Sequence, residues 1–384
     1  LPQARLRLPD HVGLLSEVGA LPCFYNAAMD VTVQVSRRSP LVRQALVACT
    51  LLIGYLSLYP FSGWREQGIA PFAFVFGAGP KQLFWLDIVL NVLGYLPFGL
   101  LAVMALPPAS RRWRVLLVLV GATLLSGWLE ALQVWLPTRV SSRIDVLANA
   151  AGALIGALAG VWLQPRLERV GGIRVWRDRW LRRGSQADLG LLLLVLWPLT
   201  QCRPGSPFFD VGDLRPLLPA QAVPLYPADL FSLIEALAAA AHVLVLGLMA
   251  QGVSAPGRSG ARLLLGVLVA AVAARWLGVL AFDGTGGLPG QFSPGVVAGL
   301  MLGAGVAIAA WHLPRERQLA LAISVLVLVT VLLNLAPWNP YLADPAPGRL
   351  QGYLLSLHGL AGLLAALWPL LVALWLVRAL RQPV

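Results

Sequence analysis

The chain has 384 residues, of which 58% are hydrophobic and 12% charged, with a mean hydropathy of +0.75 and a formal net charge of +12. A composition this far from the soluble average excludes an ordinary water-soluble domain and reads as an all-α, polytopic transmembrane helical bundle. The basic excess does not point to nucleic acid, because the arginines follow the loops and gather in no single patch.

Residues 1–40 are polar and interrupted by proline, too polar for a secretory signal, and are expected to form a cytoplasmic N-terminal extension. Ten apolar segments follow that can cross a hydrocarbon core about 30 Å thick. They are 41–59, 82–106, 113–135, 144–163, 188–202, 230–251, 261–281, 293–311, 317–336 and 351–377. The fifth is short and contains Pro198.

Basic residues mark alternate loops. Arg5, Arg7, Arg37 and Arg38 precede the first span and Arg43 stands at its start, Arg111, Arg112 and Arg114 follow the second, and the stretch Arg166 to Arg183 after the fourth holds seven arginines. Arg258, Arg262, Arg315, Arg317, Arg378 and Arg381 continue the series, whereas the other side has only Arg65, Lys81, Arg139, Arg143, Arg203, Arg215 and Arg349. The positive-inside rule then places both termini in the cytoplasm. Trp85, Trp135 and Trp338 fall at predicted outer ends, and Trp113, Trp162, Trp311 and Trp375 toward inner ends, as interfacial rings should. In the linker, Trp176 and Trp180 are spaced as on a short helix, which reads as an orientation signal or as an interfacial helix on anionic lipid. The Pro-rich outer loop from Arg203 to Asp229 reads as an extended connector, with a lid over the outer face as the alternative.

Cys23, Cys49 and Cys202 are far apart, and His11, His242, His312 and His358 lack metal-ligand spacing, so neither a disulfide framework nor a metal or other cofactor is expected.

The chain repeats itself weakly. Leu83-Phe84-Trp85-Leu86 recurs as Leu230-Phe231-Ser232-Leu233, Trp128-Leu129 as Trp276-Leu277, and Trp162 as Trp311, at nearly constant offsets. This predicts a tandem four-helix repeat: a first unit at 41–165, an Arg-rich linker at 166–187, a degenerate second unit at 188–314 and two C-terminal spans at 315–384. Chance likeness between Leu/Ala-rich helices is the alternative. In this alignment Asp87, Asn91, Glu130 and Asn149 fall on Ile234, Ala238, Gly278 and Gly299, so the polar set is expected in the first unit alone.

Charges within spans cost roughly 2.5 to 3.5 kcal/mol at a helix centre and mark buried, paired positions. On the second span Asp87, Asn91 and Gly94 share one face, and Pro97 predicts a kink. Ser126, Glu130 and Gln133 form a stripe on the third span, and Arg139 and Arg143 stand in the loop after it. Asp145 and Asn149 open the fourth span, with Gly152, Gly156 and Gly160 below them, small residues that let helices approach closely. Since the three spans alternate in direction, these stripes meet at the extracytoplasmic boundary.

The ordered set Asp87, Asn91, Gly94, Pro97, Gly99, Glu130, Gln133, Pro137, Arg139, Asp145, Asn149, Gly152 and Gly156 resembles the VanZ-like family, over roughly residues 41–165. The resemblance implies a bacterial envelope membrane protein related to one linked to low-level resistance to teicoplanin, a lipid-bearing glycopeptide. Two readings of the cluster stay open. Either Asp87, Glu130, Arg139 and Asp145 lock helices together, or they belong to a head-group site for a membrane lipid or lipid-linked envelope precursor. In the second case Arg139 and Arg143 would bind phosphate or carboxylate, and Asn91, Gln133 and Asn149 would bond sugar or peptide groups. Glu130 is the candidate acid or base if there is a reaction. A transporter ranks lower, because no polar path crosses the spans, and homo-oligomer formation is left open.

Overall fold

Each of the ten apolar segments is helical, and the described residues contain no strand. The computed structural model describes residues 40–77, 85–107, 109–169, 177–203, 205–215, 226–282, 292–337, 339 and 352–381. The predicted extension before Pro40, Lys81, Arg174, Trp176, Trp338, Arg349 and residues 216–225 of the Pro-rich loop lie outside them.

In chain order the long helices are α1 (Pro40–Leu58), α2 (Trp85–Ala105), α3 (Arg111–Gln133), α4 (Arg143–Arg169), α5 (Ser185–Thr200), α6 (Ala228–Val253), α7 (Ala261–Phe282), α8 (Pro294–Ala310), α9 (Arg315–Leu335) and α10 (Gly352–Leu380), with a single helical turn at Ala73–Phe76 between α1 and α2. Eight are long and apolar enough to cross a membrane, and the protein is a multi-pass membrane protein. The other two, α5 with 16 residues and α8 with 17, are shorter than a span needs. Both pack against other helices of the second half, where a helix need not match the bilayer thickness by itself.

Local chemistry sets several helix boundaries. Ser110 caps α3 by accepting the Trp113 N–H, and Ser293 caps α8, with Pro294 at its first turn, by accepting the Val296 N–H. Helix α2 runs through Pro97 as one helix.

The tightest pairing in the bundle is α2 on α4. A Cβ on Gly152 would overlap the Val92 carbonyl, one on Gly156 the Leu96 carbonyl and one on Gly99 the Ala153 carbonyl, so the two backbones touch directly. The second tightest pairing, α6 on α8, repeats the device: Gly295, Gly299 and Gly303 face the carbonyls of Ser232, Ala236 and Ala240.

The second half encloses the larger core, around Trp197, Trp368, Phe208, Phe209 and Met249. The first half has a thin core of Ile53, Tyr95, Ala122, Leu129 and Ala153, and turns Leu51, Leu93, Leu124 and Trp128 outward, as a lipid-facing surface requires. Helix α1 joins the halves, packing on α2 and α3 and also on α5 and α10. Its C-terminus meets the start of α10, where Gly359 lies against the Tyr59 ring; this defines an upper end of the bundle, and Pro40 starts at the lower end.

Two of the tryptophans assigned to interfaces are structural instead. Trp375 is buried with its indole N–H on the Gln186 carbonyl (2.7 Å), and the half-buried Trp311 donates to the Gly247 carbonyl (3.0 Å). Trp85, Trp113 and Trp162 are exposed.

The glycine seam is open to a direct check. Overpacking a core typically costs about 1–3 kcal/mol, and here the obstacle is backbone that cannot rotate away. Gly156→Leu is expected to abolish the monodisperse species in detergent chromatography, while Gly121→Leu, with nothing within 4 Å of its added Cβ, leaves it unchanged. Equal behaviour of the two variants would contradict the seam.

Candidate functional site

The α2–α4 seam sets the upper ends of these helices side by side, and α3 closes against α4. Asn91 on α2 donates to Asp145 Oδ1 at the start of α4 (3.0 Å), and Asn149, one turn further down α4, donates to Ser126 Oγ on α3 (2.9 Å). Asn91, Ser126, Glu130, Gln133 and Asn149 are buried, and Asp87 and Asp145 are half-buried.

Glu130 shapes the α3–α4 connection. Its Oε2 accepts the Ser142 N–H (2.8 Å) and its carbonyl accepts the Ser141 hydroxyl (2.7 Å), while Ser142 Oγ accepts the Ile144 N–H (3.1 Å). Buried polar groups in a membrane protein need such partners because lipid offers none. The charges of Asp87, Glu130 and Asp145 share the field of Arg139.

Of the two tasks open to Arg139, its bonds fit the joining of helices. Its guanidinium donates to the carbonyls of Tyr59 (3.1 Å) and Leu56 (3.0 Å) at the end of α1 and to the Ser356 hydroxyl on α10. Gln133 adds a bond to the Ser57 carbonyl (2.9 Å). The last carbonyls of α1 have no partner within their own helix, so a planar multi-donor cation is suited to gather them. Arg143 is exposed at the start of α4 and takes no part in these bonds.

Beside this network runs a groove of about 240 Å³ between α1 and α2. Leu56, Leu90, Leu93 and Leu357 give it apolar walls, and Asn91 and Asn149 are its amides. Asn149 Oδ1 is buried and has no hydrogen-bond partner among the described residues. Leu93 at the rim is exposed, so the groove opens sideways toward the lipid-facing surface. Gly94 lines it with open space beyond its Cα, unlike the seam glycines.

Of the residues singled out in the sequence, Asp87, Asn91, Glu130, Gln133, Arg139, Asp145 and Asn149 thus come together at the upper end. Sequence reasoning missed Tyr95, which lines the groove and sits four residues after Asn91 on the same helix face, a legible signal. It also missed Ser57 and Ser356, which no local pattern announces.

These residues fall inside a recognised family pattern. Residues 22–164 match the VanZ/LLP1 family model. The first half of the bundle is VanZ-like, as the ordered polar set indicates. No curated protein and no solved structure matches the chain. The match ends with α4, leaving the second half outside it.

That second half is not bare, contrary to the sequence alignment. Glu235, one residue beyond the aligned Ile234, accepts from Asn339 Nδ2 (3.1 Å) and from the Ser293 hydroxyl. Buried Arg275 donates to the carbonyls of Ser206 (2.6 Å) and Arg203, and Arg215 pairs with Asp213 (2.7 Å). Asp210 is buried beside them, and desolvation pushes its pKa up to about 7, Asp213 adding to the rise. Among the described residues no group of three His, Cys, Asp or Glu is placed to hold a metal ion.

Two measurements test this description. Arg139→Ala leaves α1 carbonyls without a donor, at roughly 1.5–3 kcal/mol for each charge-assisted bond, and is expected to lower the melting temperature in detergent by several degrees. An unchanged melt would refute the clamp. For Asp210 the folded-state pKa lies above the unfolded value, so the folded state binds the proton more tightly and its stability falls as pH rises from about 4 to 7. Asp210→Asn should therefore gain on wild type across that window and show a flat difference above it.

Proposed function

We propose that the groove between α1 and α2 binds a lipid-linked component of the bacterial cell envelope at the outer face of the cytoplasmic membrane. The observation that carries this reading is a lateral, apolar-walled groove ending on the unpaired Asn149 oxygen. An acyl or prenyl chain can enter sideways past Leu93 and Gly94, and its polar end then supplies a donor to Asn149. The positive-inside rule supports the orientation: the loops at the lower end carry most of the arginines, so the upper end faces outward. Teicoplanin, a glycopeptide with a lipid tail, is one ligand of this form, in keeping with the VanZ-like resemblance. Glu130 sits behind the groove wall, held by the Ser142 N–H, so the proposal is binding or shielding of the ligand and includes no bond-making step.

A tandem duplication accounts for the two glycine seams. Matching Gly152, Gly156 and Gly160 to Gly295, Gly299 and Gly303 places Phe292 at the position of Asn149 and Phe231 at that of Asn91. The second half has thereby exchanged the groove amides for aromatic rings.

One observation favours a second reading, in which the cluster only locks helices: nearly every named side chain bonds a neighbouring helix or loop. Interhelical hydrogen bonds average only about 0.6 kcal/mol each in membranes, yet several acting together can fix an arrangement.

The test compares wild type with Glu130→Gln, Asp145→Asn and Gly94→Leu in a sensitive host, with teicoplanin susceptibility as readout, vancomycin as control and protein levels matched. Gly94→Leu fills the groove without touching the lock. Protection by wild type that Gly94→Leu abolishes at normal abundance supports the groove. Full protection by Gly94→Leu, with poor accumulation of the other two, supports the lock.

A further inference from the structure

At the lower end, away from the upper groove, a second cavity of about 510 Å³ lies where α5 and α9 begin and α6 and α10 end. Leu181, Ala187, Leu319, Trp375 and Ala379 form its apolar floor, and Arg182 and Arg315 line it.

The linker segment beside it is fixed in place. The Arg182 N–H bonds the Val253 carbonyl (2.8 Å), the Ala255 N–H bonds the Trp180 carbonyl (2.9 Å), and Leu181 bridges to Ser254. Arg258 stacks on the Trp180 ring at 4.2 Å. The nearby acids are already committed: buried Arg177 holds Asp178 (2.6 Å) and Asp188 (2.5 Å), and the exposed Arg183 reaches Asp178 (3.1 Å).

Arg182 and Arg315 are left over. No hydrogen bond or ion pair engages either guanidinium among the described residues, and Arg182 Nε is buried without a partner. Arg315 lies close enough to Arg182 that, after burial, its charge is the second influence lowering the Arg182 pKa. Two like charges held together beside apolar walls, where the one carboxylate lining the cavity, Asp178, is already paired with Arg177 and Arg183, are unfavourable unless an anion joins them. The cavity falls in the size range of small-molecule sites, and paired guanidinium groups match phosphate oxygens bidentately.

We propose that this cavity is a phosphate-binding site, in which Arg182 and Arg315 together hold the phosphate of a phosphomonoester or phosphodiester whose apolar part rests against Leu319 and Trp375. A phospholipid head group and a free phosphorylated metabolite share this chemistry.

The experiment uses the purified full-length protein and the variants Arg182→Gln, Arg315→Gln and, as a control, Arg317→Gln, an exposed arginine of α9 outside the cavity lining. Native mass spectrometry measures retention of phosphatidylglycerol against phosphate-free diacylglycerol, and thermal melts are recorded with and without glycerol 3-phosphate. Wild type is expected to retain the anionic lipid, or to be stabilised by glycerol 3-phosphate, about tenfold more strongly than either cavity variant, while Arg317→Gln behaves as wild type. Retention of the lipid alone assigns the site to a head group, and stabilisation by glycerol 3-phosphate assigns it to a soluble phosphate. A merely structural role would lower the melting temperature of the cavity variants in phosphate-free buffer, whereas relief of like-charge repulsion leaves it equal or higher. Equal binding by wild type and the cavity variants, or a lowered phosphate-free melt, overturns the proposal.

Discussion

The backbone contact between α2 and α4 is the constraint on which the first half depends. Because Gly99, Gly152 and Gly156 have no Cβ, two helices lie closer than side chains would allow, and their registers are locked carbonyl against Cα. That register sets Asn91 against Asp145, and Asn149 within reach of Ser126 on α3. Had the seam been built from leucines, the helices would stand apart and the amides would each need another partner, at a cost lipid cannot offset. Arg139 extends the arrangement by tying α1 and α10 to the α3–α4 connection. The groove lies between α1 and α2 beside this seam, where Gly94 places no side chain in its wall.

Much of this was legible in the sequence, for identifiable reasons. Apolar segments of bilayer length give helices whatever their tertiary context, so all ten elements were readable. The stripes Asp87, Asn91 and Gly94, then Ser126, Glu130 and Gln133, then Asp145 and Asn149 follow helical periodicity, and alternating span direction brings them to one end. What the sequence left open was partner choice. Arg139 has the residue type and position of an anion binder or of a helix lock, and its guanidinium bonds α1 carbonyls and Ser356, far away in the chain. Helix ends always leave carbonyls in need of donors, yet sequence does not say which arginine will serve them. The second half failed for a different reason: a register taken from Leu/Trp similarity hid Glu235, whereas the glycine seam gives a register with a physical basis.

The two ends of the bundle now carry different chemistry. At the upper end, acids and amides pair among themselves and leave one amide oxygen facing a lipid-accessible groove. At the lower end, arginines outnumber the acids available to them, and two remain against an apolar floor. A protein that handles amphipathic molecules from both sides of a bilayer would use such a division, with weak polar recognition beside an apolar wall on one face and strong anion recognition on the other.

The account's central claim is that the α1–α2 groove receives a lipid-linked ligand, and an electron cryomicroscopy map of the full chain in lipid nanodiscs tests it most directly. The account predicts elongated density along Leu56, Leu90 and Leu93, with a polar end within hydrogen-bond distance of Asn149. Closely packed side chains filling the space between α1 and α2, with Asn149 Oδ1 accepting a hydrogen bond from within the protein, would contradict it.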